Sequence, residues 1–181
     1  MFARSFAKFV FGAAILGVSA HAKNAPLAEP EFEGVFAEWV ASTQTMRAMP
    51  RETPQQETKV KALGFGGAKS SMVWSGTSCT HRIRGNAQPS FVVRVASLRT
   101  DPHDIVQFYK VNQIRGSRRL SLATAKLFSG VKTDMNDGAV GFDAKVHGPS
   151  SIMVKSATAL APGEYVLSTP ASPNSYCFGI D

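Results

Sequence analysis

The chain has 181 residues, of which 44% are hydrophobic and 18% charged, and its formal net charge is +7. That length suits one domain able to bury its own core. It carries no internal repeat, no long low-complexity tract and no apolar run near the roughly 20 residues a membrane-spanning helix needs.

The first residues read MFARSFAKFVFGAAILGVSAHA. Arg4 and Lys8 form a basic start, Phe9 to Val18 is a short apolar run, and Ala20-His21-Ala22 offers the small-x-small pattern of a signal-peptidase site. The expectation is a signal peptide over 1–22, cleaved after Ala22, and a periplasmic or secreted product. No cysteine lies at the cleavage point, so a lipid anchor is not expected. The remainder, 23–181, is unevenly charged. Residues 23–57 carry 3 basic and 6 acidic residues, 58–132 carry 13 basic residues against Asp101 and Asp104, and 133–181 carry 2 basic and 5 acidic. The basic middle is the main electrostatic feature. Export also implies an oxidising compartment, in which the only two cysteines, Cys79 and Cys177, are expected to pair.

Residues 23–57 form an N-terminal segment whose pattern reads two ways. Phe32, Val35, Phe36, Trp39, Val40 and Thr43 have helical spacing. The β-branched and aromatic residues among them equally suit a strand that turns at Ser42-Thr43-Gln44 into a second strand, Met46 to Met49. From residue 58 the text is β throughout, with strands expected at Thr58–Leu63, Ser71–Trp74, Cys79–Arg84, Ser90–Ser97, Asp104–Val111, Arg118–Ala123, Ala139–Val146, Ser151–Ser156, Gly163–Thr169 and Ser175–Ile180. In AVGFDAKV, Val140, Phe142, Ala144 and Val146 share a face; in SYCFGID, Tyr176, Phe178 and Ile180 oppose Cys177. Gly, Pro, Asn and Asp turns separate the runs. Short strands at this spacing without βαβ alternation predict an all-β, antiparallel, Greek-key-like β-sandwich over 58–181.

Near the end, LAPGEYVLS places Pro162 and Gly163 in a turn just before Tyr165. That is the arrangement of a tyrosine corner, in which the ring packs on the core edge and the hydroxyl ties back to upstream backbone. GVF near the start, RETPQ, FVVRVAS…TDP and LAPGEYVLS…YCFGID together resemble a family of small exported bacterial proteins for which no activity is known. The resemblance follows most of the chain in order. It implies a β-sandwich and favours the hairpin for the N-terminal pattern, although Trp39-Val40-Ala41-Ser42 stands where that family has an aspartate-containing turn. It implies no functional residues.

Each remaining motif has a structural competitor. GFGGAKSS (Gly64 to Ser71) suggests a phosphate loop, but the glycines such a loop needs are replaced by Leu63 and Ala68, so a flexible inter-strand loop is the better reading, one that could still form a basic lip on a binding surface. SCTH sets Cys79 two residues from His81, which could activate a thiol, yet Cys79 is better used by Cys177. Asp101, His103 and Asp104, and likewise Asp134, Asn136 and Asp137, could ligate a metal but sit in ordinary turn sequences. No metal site and no cofactor is assigned. Lys110, Arg115, Arg118, Arg119, Lys126 and Lys132 could dock an anionic partner: an envelope protein, lipopolysaccharide, a lipid headgroup or an acidic glycan. Charges of this kind also block unwanted strand pairing. Nucleic acid is disfavoured, because no stacking aromatics interleave with these cations. The leading reading is a non-enzymatic exported binding module. The competing one is a hydrolase or metal-dependent enzyme using His81, His103 or His147 with a nearby aspartate.

Overall fold

The computed structural model describes residues 27–60, 67–126, 130–133 and 135–181. The expected signal peptide, the last three residues of the strand expected to end at Leu63, the start of the glycine-rich stretch and Asp134 lie outside the described residues. In chain order the strands are β1 (Phe36–Val40), β2 (Thr45–Ala48), β3 (Arg51–Glu52), β4 (Gln55–Val60), β5 (Ala68–Ser75), β6 (Arg82–Ile83) and β7 (Ser90–Arg94). A short helix α1 (Pro102–Ile105) precedes β8 (Gln107–Ile114), β9 (Ser117–Lys126) and β10 (Gly130–Thr133). A 3-10 turn (Met135–Gly138) then leads to β11 (Phe142–His147), β12 (Ser151–Ser156), β13 (Gly163–Ser168) and β14 (Ser175–Ile180).

These strands form two sheets, as the alternation implies. One has the order β11-β12-β7-β1-β2; the other runs β3-β14-β13-β8-β9-β5-β4, with β10 added on β9 and β6 on β14. Among the described strands only the β6–β14 pair is parallel. The N-terminal pattern resolves as a hairpin. Ala37 pairs with Ala48 and Val40 with Thr45, while the other edge of β1 pairs with β7, so the hairpin belongs to the first sheet. The boundary drawn at residue 57 falls inside β4.

The core lies between the sheets. Phe36, Phe91, Val93, Ile152 and Val154 from one side meet Phe108, Tyr165, Leu167, Tyr176, Phe178 and Ile180 from the other. The ring centroids of Phe91 and Phe178 are 4.6 Å apart, and those of Tyr165 and Phe178 are 5.4 Å apart. A second, smaller cluster of Trp74, Cys79, Val111, Leu120, Val166 and Cys177 covers the far face of the second sheet. Strand periodicity explains the division: Val166 and Cys177 are each one residue out of phase with the core-facing side chains of β13 and β14.

Several expected strands differ in extent or in burial. Asp104 is helical rather than extended, because Asp101 caps the backbone N–H of His103 at 2.9 Å and Pro102 occupies the first helical position. The strand expected at Cys79–Arg84 shrinks to Arg82–Ile83, and Cys79 lies in the connection before it. Val146, expected to share a face with Phe142, is 63% exposed near the end of edge strand β11, whereas Phe142 is buried.

Candidate functional site

Cys79 and Cys177 form a disulfide with their Cα atoms 5.5 Å apart. It fastens the connection between β5 and β6 to the last strand, on the outer face of the second sheet rather than between the two sheets. Against it lies Arg118, only 2% exposed. Its guanidinium contacts both sulfurs and donates to the carbonyls of Ser75 at 2.6 Å and Gly76 at 3.1 Å. It also pairs with Glu52 at 2.9 Å. Every edge of this cation is occupied, so the expectation that Arg118 docks a partner is corrected: on the outer face of the second sheet it is covered by the disulfide, Glu52 and the Ser75-Gly76 backbone.

The rest of the basic set is likewise divided. Arg119 pairs with Glu57, and this hydrogen bond is the main reason that carboxyl lies below its ordinary value. Arg115 sits exposed at the β8–β9 turn with φ of +41°. Lys132 lies 3.7 Å from Asp137. The side chain of Lys126 lies outside the described residues. Lys110 does find company. It lines a pocket of about 240 Å3 together with Lys69, Asn112, Leu120, Ser121, Asp137 and Gly138.

That pocket is a consequence of how β9 runs. β8 and β9 are paired only where Asn112–Ile114 face Arg119–Ser117; further along, β9 takes β10 as its neighbour on that side. Between Ser121 and Ala123 the register with β5 also slips by one residue. Such a bulge bends a strand and re-aims its side chains. The 3-10 turn fills the gap, and Gly138 is needed there: a Cβ would stand 2.8 Å from the Lys110 carbonyl oxygen. Lys69 and Lys110 thus reach one concavity from different strands. No carboxylate lies within ion-pair distance of either among the described residues, while Lys110 leans 5.7 Å over the Tyr165 ring. Two ammonium groups beside the Asn112 amide and the Ser121 hydroxyl can hold an anion.

The sequence matches no family model, no curated protein and no solved structure.

The three candidate histidines do not converge. His81 is buried, with Nε2 2.8 Å from Glu38 Oε2, so its partner is a glutamate from β1 rather than an aspartate. His103 is exposed, bonded to Asp101 at 3.0 Å and stacked on Phe142. That hydrogen bond, first among several causes, raises the His103 pKa. His147 is buried, bonded to the Ala28 carbonyl at 2.9 Å and edge-on to Trp39. Each has a different partner, and none lines any of the clefts described here. Cys79, Cys177 and Glu164 bring donor atoms within 4.8 Å of one another, but both sulfurs are consumed by the disulfide. The Tyr165 hydroxyl donates to the Ala161 carbonyl at 2.7 Å, with Pro162 and Gly163 between them.

Glu38 and Arg47 have no counterpart in the sequence reading. They face each other across the β1–β2 hairpin, where Arg47 Nε donates to Glu38 Oε2 at 2.7 Å. Burial pushes the Glu38 carboxyl up, but the His81 and Arg47 hydrogen bonds and the Arg47 charge outweigh it and hold the pKa below its ordinary 4.5. The hairpin register, had it been fixed in advance, would have signalled the pair. These residues border an open cleft of about 810 Å3 between the hairpin and β6, which also includes Trp39, Arg84 and Lys155.

Proposed function

We propose that the protein is an exported, non-enzymatic β-sandwich that binds an anionic component of the cell envelope through the pocket holding Lys69 and Lys110. One observation carries this reading: two lysines from separate strands meet at a concavity where neither has a carboxylate partner. Elsewhere in the basic middle region Arg118 and Arg119 are neutralised internally, whereas in this pocket the one lining carboxylate, Asp137, pairs with Lys132 rather than with Lys69 or Lys110. The signal-like first residues and a buried disulfide fit delivery to an oxidising compartment. Among the described residues no helix is long and apolar enough to cross a membrane.

Co-sedimentation with vesicles is the test. Binding to phosphatidylglycerol vesicles, absence of binding to zwitterionic ones, and weakening with added salt are expected. At about 1 kcal/mol per surface lysine, Lys69→Gln with Lys110→Gln is expected to weaken binding about 30-fold. Equal binding to both vesicle types, or insensitivity to the two substitutions, removes the reading.

A further inference from the structure

The cleft between the β1–β2 hairpin and β6 is built differently from the lysine pocket. Two of its arginines are held by one edge and left open at the other. Arg47 spends Nε and Nη2 on Glu38, and Nη2 also reaches the Arg82 carbonyl at 3.0 Å and His81 Nε2 at 3.1 Å. Arg84 spends only Nε, on Asp181 Oδ2 at 3.0 Å, and its side chain is 82% exposed. Asp181 is itself fixed by Arg82, whose other terminus is bonded to the buried carboxylate of Glu164 at 2.6 Å. A carboxylate behind each guanidinium therefore sets its orientation before any ligand arrives, and pre-organised donors of this kind bind at lower entropic cost.

Lys155 adds a third cation to the same cleft. It projects from β12, between Ser90 of β7 and Asp143 of β11, and forms no ion pair among the described residues. Trp39 and Val40 give the cleft an apolar wall. Its volume of about 810 Å3 lies within the range of roughly 300–1,000 Å3 typical of organic-ligand sites, and exceeds what a bare anion fills.

We infer that this cleft is a second ligand site, taking an organic molecule that carries two or more phosphoryl groups. A guanidinium presents a planar fork that matches phosphate oxygens, and a lysine supplies a point charge. Guanidinium and ammonium heads on the lining of one cleft favour a polyanion over a single charge, and Lys155, in the same cross-strand row as Ser90 and Trp39, reaches it from the opposite face of the sheet to Arg47. The site uses none of the residues of the lysine pocket, so it stands or falls independently of the function proposed above.

Calorimetric titration of the purified protein tests this, with a hexose bisphosphate, the matching monophosphate, and vesicles bearing a bisphosphorylated glycolipid as separate probes at fixed ionic strength. The bisphosphate is expected to bind at least about tenfold more tightly than the monophosphate. Arg84→Gln with Lys155→Gln is expected to cost about tenfold or more, while Lys69→Gln with Lys110→Gln leaves this binding unchanged. Both replaced side chains are at the surface, and an unchanged thermal midpoint confirms that the variant is folded. Binding to the vesicles alone, with the same sensitivity to Arg84 and Lys155, assigns the phosphoryl groups to a lipid and supports the site. Failure to bind either bisphosphorylated probe, or binding indifferent to Arg84 and Lys155, overturns it.

Discussion

Arg118 is a cation buried among groups that all accept from it: two carbonyls, one carboxylate and two sulfurs. Removing a buried cation strands its partners, at a typical cost of about 3–5 kcal/mol. Arg118→Met is expected near the lower end, because Glu52 retains some access to water. Arg118→Lys should recover only part of the loss, since an ammonium cannot reach so many acceptors. Arg115→Gln, at an exposed turn, should change stability by less than about 0.5 kcal/mol. Urea denaturation midpoints of the three variants check this ordering. Glu38 gives a pH-dependent counterpart. Its folded-state pKa is depressed below 4.5, so its contribution is complete above the unfolded value and is lost as pH falls below it. Glu38→Gln should therefore cost about 1–2 kcal/mol near neutral pH. The deficit relative to the parent should shrink as the pH drops below about 4.5, and thermal midpoints across an acid series measure that convergence. Neither residue was legible as it stands. Arg118 is one more cation in a basic run until the fold covers it with the disulfide and Glu52, and Glu38 belongs to a segment whose pattern admitted a helix.

At the scale of elements, strands flanked by clear turns were readable, and Ser151–Ser156 and Ser175–Ile180 fall where alternation puts them. The N-terminal hairpin was not decided by periodicity, since a single apolar stripe serves both a helix and a strand near a turn. Side-chain demands from elsewhere in the fold were invisible as well. Gly179 lies in β14 where Arg82 crosses the strand: a Cβ there would collide with the guanidinium and push it off Glu164 and Asp181. Gly141 has only ordinary room, with the Ala157 methyl 3.9 Å from where its Cβ would stand. Gly179→Ala should accordingly cost about 1–3 kcal/mol, and Gly141→Ala less than about 0.5 kcal/mol. A thermal shift that is the same for both variants would contradict the role given to Arg82. The lysine pocket belongs to this scale too. It depends on β9 parting from β8 and on a one-residue slip against β5, neither of which leaves a mark on local composition.

For the molecule as a whole, the two-sheet architecture and the Cys79–Cys177 link were legible, because alternation and cysteine number are global constraints that a single sequence carries. The position of the link was not: it closes the outer face of the second sheet instead of bridging the two layers. Its partners are 98 residues apart in sequence, and loop closure of that size restricts the unfolded chain by about 4–5 kcal/mol. A Cys79→Ala, Cys177→Ala double variant is expected to lose stability of that order in urea while keeping its β-sheet circular dichroism. Unchanged stability would mean the clasp constrains nothing.

The proposed binding surface rests on the division of the basic region into buried, paired and open cations, and amide chemical shifts read that division most directly. Titrating phosphatidylglycerol headgroup, as soluble glycerophosphoglycerol, into isotope-labelled protein should move the resonances of Lys69, Lys110, Asn112, Ser121 and Gly138 in a saturable, salt-sensitive manner, leaving Arg118 and its neighbours still. Shifts that are absent, or scattered without regard to that pocket, would contradict the account.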